Sequence, residues 1–249
     1  MKDEGTADRS DDLMASYSSK GPSLIDHVVK PDLVAPGNKV ISAFANNSVI
    51  ETKYPTNVVP VSYYKATNTS QISSTYFTLS GTSMAAPMVS GAAALLIQKD
   101  AAITPDTVKA RLMKSASKTF PTSSSVTDTV TGLVYTTYYD LFTVGAGYLD
   151  VWEALNNQDT LPAGYSAQSQ TAIYNVVTNT TSLVNGTSVV WGVNVVWGEN
   201  VVWGSNVVWG DTTAVGFNVV WGANVVWGAN MVWGDSQPYS EALSVKGEK

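Results

Sequence analysis

The run from Tyr76 to Gln98, Y-F-T-L-S-G-T-S-M-A-A-P-M-V-S-G-A-A-A-L-L-I-Q, changes character in its middle. Tyr76 to Leu79 has the aromatic and β-branched content that suits a strand, and Gly81 with Thr82 breaks that run. From Met84 onward small and apolar residues dominate on every side, the pattern of a helix buried all round. Strand, sharp turn and helix in succession put Ser83 at the helix N-terminus, where backbone N–H groups lack intrahelical partners and the dipole is positive. A hydroxyl placed there either caps a core helix or acts as a nucleophile beside donors that would hold an oxyanion. Position alone leaves both readings open.

Three blocks of sequence bear on the choice. G-T-S-M-A-A-P, followed by V-S-G-A-A-A-L-L, resembles the nucleophile segment of subtilisin-like serine peptidases. Ser16 to Gly37, S-Y-S-S-K-G-P-S-L-I-D-H-V-V-K-P-D-L-V-A-P-G, resembles the segment leading up to the nucleophile strand in that family. Gly145 to Leu155, G-A-G-Y-L-D-V-W-E-A-L, is similar to its closing turn and helix. The blocks come in the family's order and the resemblance spans roughly residues 1 to 157. It implies an incomplete α/β domain of three layers with a mostly parallel sheet and the Ser83 helix crossing its middle. It also implies that Ser83 attacks a peptide carbonyl, that Gly81, Thr82 and Met84 flank the oxyanion site, and that the substrate is an extended polypeptide. A complete enzyme of this kind would be secreted. The polar start M-K-D-E-G-T-A-D-R-S-D-D is not a signal peptide, and the resemblance places it inside the domain, so Met1 reads as an internal methionine of a longer frame.

Acyl transfer through a serine needs a base for the hydroxyl proton, a carboxylate to orient that base, and oxyanion donors. No His follows Ser83, which excludes an α/β-hydrolase order, and no Lys lies three residues beyond it. His27 alone precedes Ser83 and has Asp26 beside it, but neighbours on an extended segment face opposite ways, so Asp26 is badly placed to hold the ring. A loop histidine is the expected reading. The family's H-G-T and D-T-G or D-S-G motifs do not occur in the sequence, nor does its A-G-N oxyanion segment. The resemblance therefore implies a nucleophile whose partners lie in a missing N-terminal half, and a chain that is close to inert alone. Met88 stands where the family usually has His, and reads as core packing.

Elsewhere, Lys39 to Ala45 reads as a buried strand, and Asn46 to Ser74 as a surface insertion rich in Asn, Thr, Ser and Tyr. Thr104-Pro105 is an N-cap with proline at the first helical position, opening an amphipathic helix from about Pro105 to Ala116. Val108, Leu112 and Met113 form its apolar stripe; Lys109, Arg111 and Lys114 read as a solvated face. A hairpin is expected around Thr131-Gly132 and a short closing helix over Asp150 to Asn156. Residues 158–187 read as a polar linker with one strand at Ile173 to Val177.

Residues 188–235 are an internal repeat of six residues, N-V-V-W-G-x, followed by a tail over 236–249. Trp191, Trp197, Trp203, Trp209, Trp221, Trp227 and Trp233 hold the same place, and Val215 stands in the remaining copy. An even period returns each side chain to a fixed face of an extended chain, and Gly-x-Asn supplies a turn, so short strands in a solenoid or meander are expected. The competing reading of the whole chain is a structural or adhesive fragment in which this array mediates self-association or surface binding.

The net charge of −6, without clustered Lys or Arg, argues against nucleic acid as a partner. With no Cys and a single His, a zinc site, thiol catalysis and disulfides are not expected, and no calcium loop is evident, so no metal or cofactor is anticipated. No apolar run is long enough to span a bilayer.

Overall fold

In the computed structural model, residues 1–66, 70–127, 132–161, 166–177 and 180–184 are described. The hexapeptide repeat over 188–235, the tail over 236–249 and Thr131 lie outside them. The turn at Gly81 connects a strand, β3 (Ile72–Leu79), to the long helix α2 (Thr82–Lys99), as the sequence suggests. The strand begins earlier than Tyr76 because Ile72 pairs with Pro60 and the Thr75 carbonyl accepts the Phe44 N–H at 2.9 Å. Its partners are β1 (Val40–Ala43) and β2 (Val58–Pro60), in the order β1-β3-β2. Both pairings are antiparallel, with Val40 opposite Leu79 and Val58 opposite Phe77.

The mostly parallel sheet implied by the resemblance is not what the described strands form: every strand pair among them is antiparallel. Parallel character survives in one bridge, Val34 to Tyr148. Nor is β1 a buried strand, for Ile41, Ser42 and Ala43 are exposed. Its apolar residues belong to an edge whose outer face is open. The Asn/Thr-rich insertion is more ordered than a loop. It contains a helix, α1 (Val49–Lys53), capped by Ser48, and β2, where Val58 and Val59 are buried.

Helix α2 is not buried all round. Ala92 and Leu96 are its only buried residues, and with Ala85, Val89 and Ala93 they make one stripe over Ala35, Val108, Leu112 and Leu149. Met88 is 38% exposed, Leu95 43% and Ile97 51%, so Met88 is not a core residue. The all-round apolar pattern calls for cover on two sides, and the described residues supply one. Covering the still exposed part of each of these three side chains would contribute about 1 kcal/mol.

Helix α3 (Pro105–Ser115) opens on Thr104, whose hydroxyl accepts the Thr107 N–H at 3.2 Å. Val108, Leu112 and Met113 are buried as expected. Its basic face is not simply solvated. Arg111 is 7% exposed and its Nε donates to the Asp159 carbonyl at 2.7 Å. Lys114 pairs with the Asp159 carboxylate, and Lys109 Nζ lies 3.0 Å from Asp32 and donates to Ser169 at 2.8 Å. Asp106 Oδ1 accepts the Ala167 N–H at 2.9 Å. Burial pulls the Asp32 carboxyl upward, but Lys30, Ser169 and Lys109 together hold it below the usual carboxylate range. Helical spacing separates charge from core but does not say whether the charges meet water or another segment.

That segment is the stretch read as a linker. It carries β6 (Thr171–Asn175) paired with β7 (Thr180–Val184), where one strand was expected. A hairpin and two short helices follow α3 among the described residues. β4 (Ser123–Thr127) and β5 (Val134–Tyr138) pair antiparallel, as a hairpin near Gly132 requires. α4 (Leu141–Val144) is fully buried, and the expected closing helix is α5 (Val151–Asn156). Asp150 caps α5 by accepting the Glu153 N–H at 3.0 Å, and Arg9 pairs with the same carboxylate at 2.7 Å.

The two ends of residues 1–15 are packed, with Met1, Met14 and Ala15 buried and Lys2 bridged to Leu13, while Asp3 to Asp8 are exposed. Asp12 is 3% exposed; burial raises its carboxyl, and its Oδ1 has no hydrogen-bond partner.

Lys118 joins the end of α3 to the turn after α4. Its Nζ donates to the Ala116 carbonyl at 2.7 Å and to the Ala146 carbonyl, and burial pushes its pKa down to about 8. An unfolded lysine titrates near 10.4. Between these values the unfolded chain binds more protons than the folded one, so stability rises with pH and the burial penalty is fully present below 8. We expect a gain of about 1 kcal/mol in urea unfolding from pH 7.5 to 9.5, reduced from the full linkage value because the side chain is only partly buried. Lys118→Met should abolish the gain. An equal rise in both proteins would assign it elsewhere.

Candidate active site

The Ser83 turn is fixed by backbone contacts rather than by a cap. Gly81 precedes the helix with φ +148° and no side-chain cap. Its N–H donates to the Gly37 carbonyl at 2.8 Å, and its own carbonyl accepts from Met84 at 2.9 Å and Ala85 at 3.3 Å. Thr82 and Ser83 therefore occupy the first two helical positions, whose N–H groups cannot find intrahelical acceptors.

Pro87 sits four residues after Ser83 and has no N–H, so the Ser83 carbonyl loses its usual helical donor as well. Thr82 and Ser83 are exposed, while Gly81 and Met84 are half-buried. Among the described residues no side chain is hydrogen-bonded to the Ser83 hydroxyl. The result is an exposed hydroxyl at the N-terminal end of an 18-residue helix, with N–H groups beside it that can meet a developing negative charge.

Three residues that sequence reading did not single out brace this turn. Ser80, 2% exposed, accepts the Lys39 N–H at 2.8 Å through its hydroxyl. Gly37 comes so close to the turn that a Cβ on it would lie 2.8 Å from the Gly81 carbonyl oxygen. Tyr17 Oη donates to the Gly37 carbonyl at 2.9 Å. The signal was present in Ala35-Pro36-Gly37, where a glycine after proline announces a close backbone approach.

His27 is placed elsewhere. It has φ +52°, its N–H donates to Ser23 at 3.1 Å, and its carbonyl accepts from Ala172 of β6 at 2.8 Å. With Pro22, Ile173 and Tyr174 it lines a shallow cavity of about 380 Å³ against the β6–β7 hairpin. Asp26 is engaged by the Ser23 hydroxyl, which holds its carboxyl below the usual range. Residues 23–27 form a tight turn rather than the extended segment the sequence suggested, and the charge of His27 also acts on the Asp26 carboxyl. Among the described residues no cluster of three or more His, Asp or Glu could hold a metal ion.

The family model described as "Subtilase family" matches residues 5–134, over half of the chain. The chain belongs to the subtilase family. Among the relatives of this subtilase segment, "Serine protease AprX" of Bacillus subtilis (strain 168) is 40% identical over 118 residues, 47% of this chain and 24% of AprX. "Subtilisin-like protease SBT4.4" of Arabidopsis thaliana is 30% identical over 158 residues, 63% of this chain and 18% of that protein. The "CO(2)-response secreted protease" of the same plant is 32% identical over 126 residues, 50% of this chain and 14% of that protein. The subtilase chain thus spans a quarter or less of the length of these relatives. No helix among the described residues is long and apolar enough to cross a membrane.

Proposed function

We propose that the chain is the nucleophile-bearing part of a subtilisin-type serine endopeptidase, with Ser83 as the residue that forms the acyl-enzyme. The observation that carries this reading is the exposed Ser83 hydroxyl at the mouth of α2, beside N–H groups with no helical acceptor. In the reaction the Ser83 oxygen adds to the carbonyl carbon of an extended polypeptide, and its proton passes to a base and then to the leaving amine. Backbone N–H groups at Ser83 meet the oxyanion, with Gly81, Thr82 and Met84 shaping its surroundings. Water then attacks the ester and releases the second product.

The base and its carboxylate come from a segment carrying the family's His and Asp motifs, which packs on the open apolar face of α2. Two facts support this: the motifs are absent from the sequence, and Met88 and Leu95, seven residues apart and so on one face of α2, are exposed on a helix whose composition calls for cover. The full-length protein is secreted, in keeping with the relative named as a secreted protease.

The test is complementation. The chain is co-expressed with the upstream portion of a subtilase catalytic domain bearing those motifs, and hydrolysis of an unfolded protein is followed. Hydrolysis should appear with both pieces and vanish with Ser83→Ala. Hydrolysis that persists in Ser83→Ala, or a bound but inactive pair, would sink the peptidase reading and favour a structural or adhesive role for the Trp-Gly array.

A further inference from the structure

The backbone that enters α2 is held along one seam. Val40 lies opposite Leu79, the Lys39 N–H donates to the Ser80 hydroxyl at 2.8 Å, and the Gly81 N–H donates to the Gly37 carbonyl at 2.8 Å. These contacts follow one another along both segments and bring the chain to the point where Gly81 turns with φ +148°. The last of them bears most directly on Ser83, because the Gly81 peptide sets where the first N–H groups of α2 point. Both residues in that bond are glycines, the residue type with the widest backbone freedom. The bond alone leaves the turn able to swing.

A second donor meets the same oxygen. Tyr17 Oη donates to the Gly37 carbonyl at 2.9 Å from twenty residues earlier in the chain. Tyr17 is half-buried, so the bond is partly shielded from water and stronger for it. A carbonyl oxygen has two lone pairs, and here Tyr17 and Gly81 engage one each. The Gly37 N–H in turn donates to the Met1 carbonyl at 3.0 Å, so this peptide is anchored on both sides.

We infer that Tyr17 is a positioning residue for Ser83: its hydroxyl, by fixing the Gly37 carbonyl, holds the Gly81 turn and the N–H groups that meet the oxyanion. The kinetic consequence rests on the peptidase reading, whereas the hold on the turn does not. Without the hydroxyl the Gly81 bond still forms, but the turn samples orientations in which the oxyanion donors miss their target. The oxyanion exists only in the transition state, so the loss falls on kcat rather than on KM.

Tyr17→Phe removes the hydroxyl and keeps the ring. Tyr139→Phe serves as the comparison, since it removes a buried hydroxyl that accepts the Met14 N–H at 2.8 Å. In the full chain, the Gly81 amide should exchange with deuterium about fivefold faster in Tyr17→Phe and at the unaltered rate in Tyr139→Phe. In the complemented pair, Tyr17→Phe should lower kcat about fivefold on the same unfolded substrate and leave KM within about twofold. Unchanged exchange in Tyr17→Phe, or equal acceleration in both variants, would overturn the inference. So would an active pair in which Tyr17→Phe alters KM alone. An inactive wild-type pair with acceleration confined to Tyr17→Phe would sink the peptidase reading and support the hold on the turn.

Discussion

A fluorophosphonate added to the isolated chain is expected to label Ser83 about 10⁴-fold more slowly than in the chain complemented with the His- and Asp-bearing segment. The turn alone supplies backbone donors, and those act on the oxyanion rather than on the hydroxyl proton. Removing a general base costs roughly 10²- to 10⁴-fold, and removing one side-chain oxyanion donor about 10²- to 10³-fold, the latter as measured on subtilisin itself. Such losses do not multiply cleanly, because the groups act as a unit. His27, whose backbone is tied on one side to Ser23 and on the other to Ala172 of β6, is not expected to restore the base. Rapid labelling of the isolated chain that disappears in His27→Ala would overturn this account, and rapid labelling that survives it would place the base among other residues of the chain.

The largest stability effect is expected at Gly145. It has φ +55°, and a Cβ there would lie 2.1 Å from the Pro31 carbonyl oxygen and 2.6 Å from the Asp32 carbonyl carbon and oxygen. The obstacles are backbone atoms that cannot rotate away. The neighbouring Ala146 is fully buried, and its N–H donates to the Asp32 carbonyl at 2.8 Å, so relief of the clash breaks that bond. Gly145→Ala should cost about 4 kcal/mol, read as a fall in the urea midpoint. A loss under about 1 kcal/mol would mean that the Lys30–Asp32 segment shifts freely. Gly91 is the contrast: it lies within α2 and nothing stands within 4 Å of its added Cβ. Gly91→Ala should stabilise the isolated chain by about 0.5–1 kcal/mol.

The sequence carried the strand–turn–helix around Ser83 well because local chemistry determines it: a strand run, Gly81, and then a helix of small residues. The cap of α3 was legible for the same reason, since Thr104 satisfies a donor only three residues away. What stayed hidden depends on partners distant in sequence. The apolar composition of α2 predicts burial but not which cover is present. Lys109, Arg111 and Lys114 read as solvated because a helical wheel cannot distinguish water from Asp32 or Asp159. Within residues 158–187 the strand at Ile173 was legible and β7 was not, because Thr180, Thr181 and Ser182 count as polar although threonine favours extended backbone. The bracing of the Ser83 turn by Gly37 and Ser80 spans some forty residues and needed coordinates.

The register of the β6–β7 hairpin also decides how a pull on the C-terminal array is borne. Thr171 faces Val184, so the chain enters and leaves the hairpin at the same end. Tension applied at Val184 would peel the strands apart one pair at a time, from Thr171 and Val184 to Asn175 and Thr180, each bond loaded singly. Such a joint opens like a zipper, pair by pair, rather than shearing as a block.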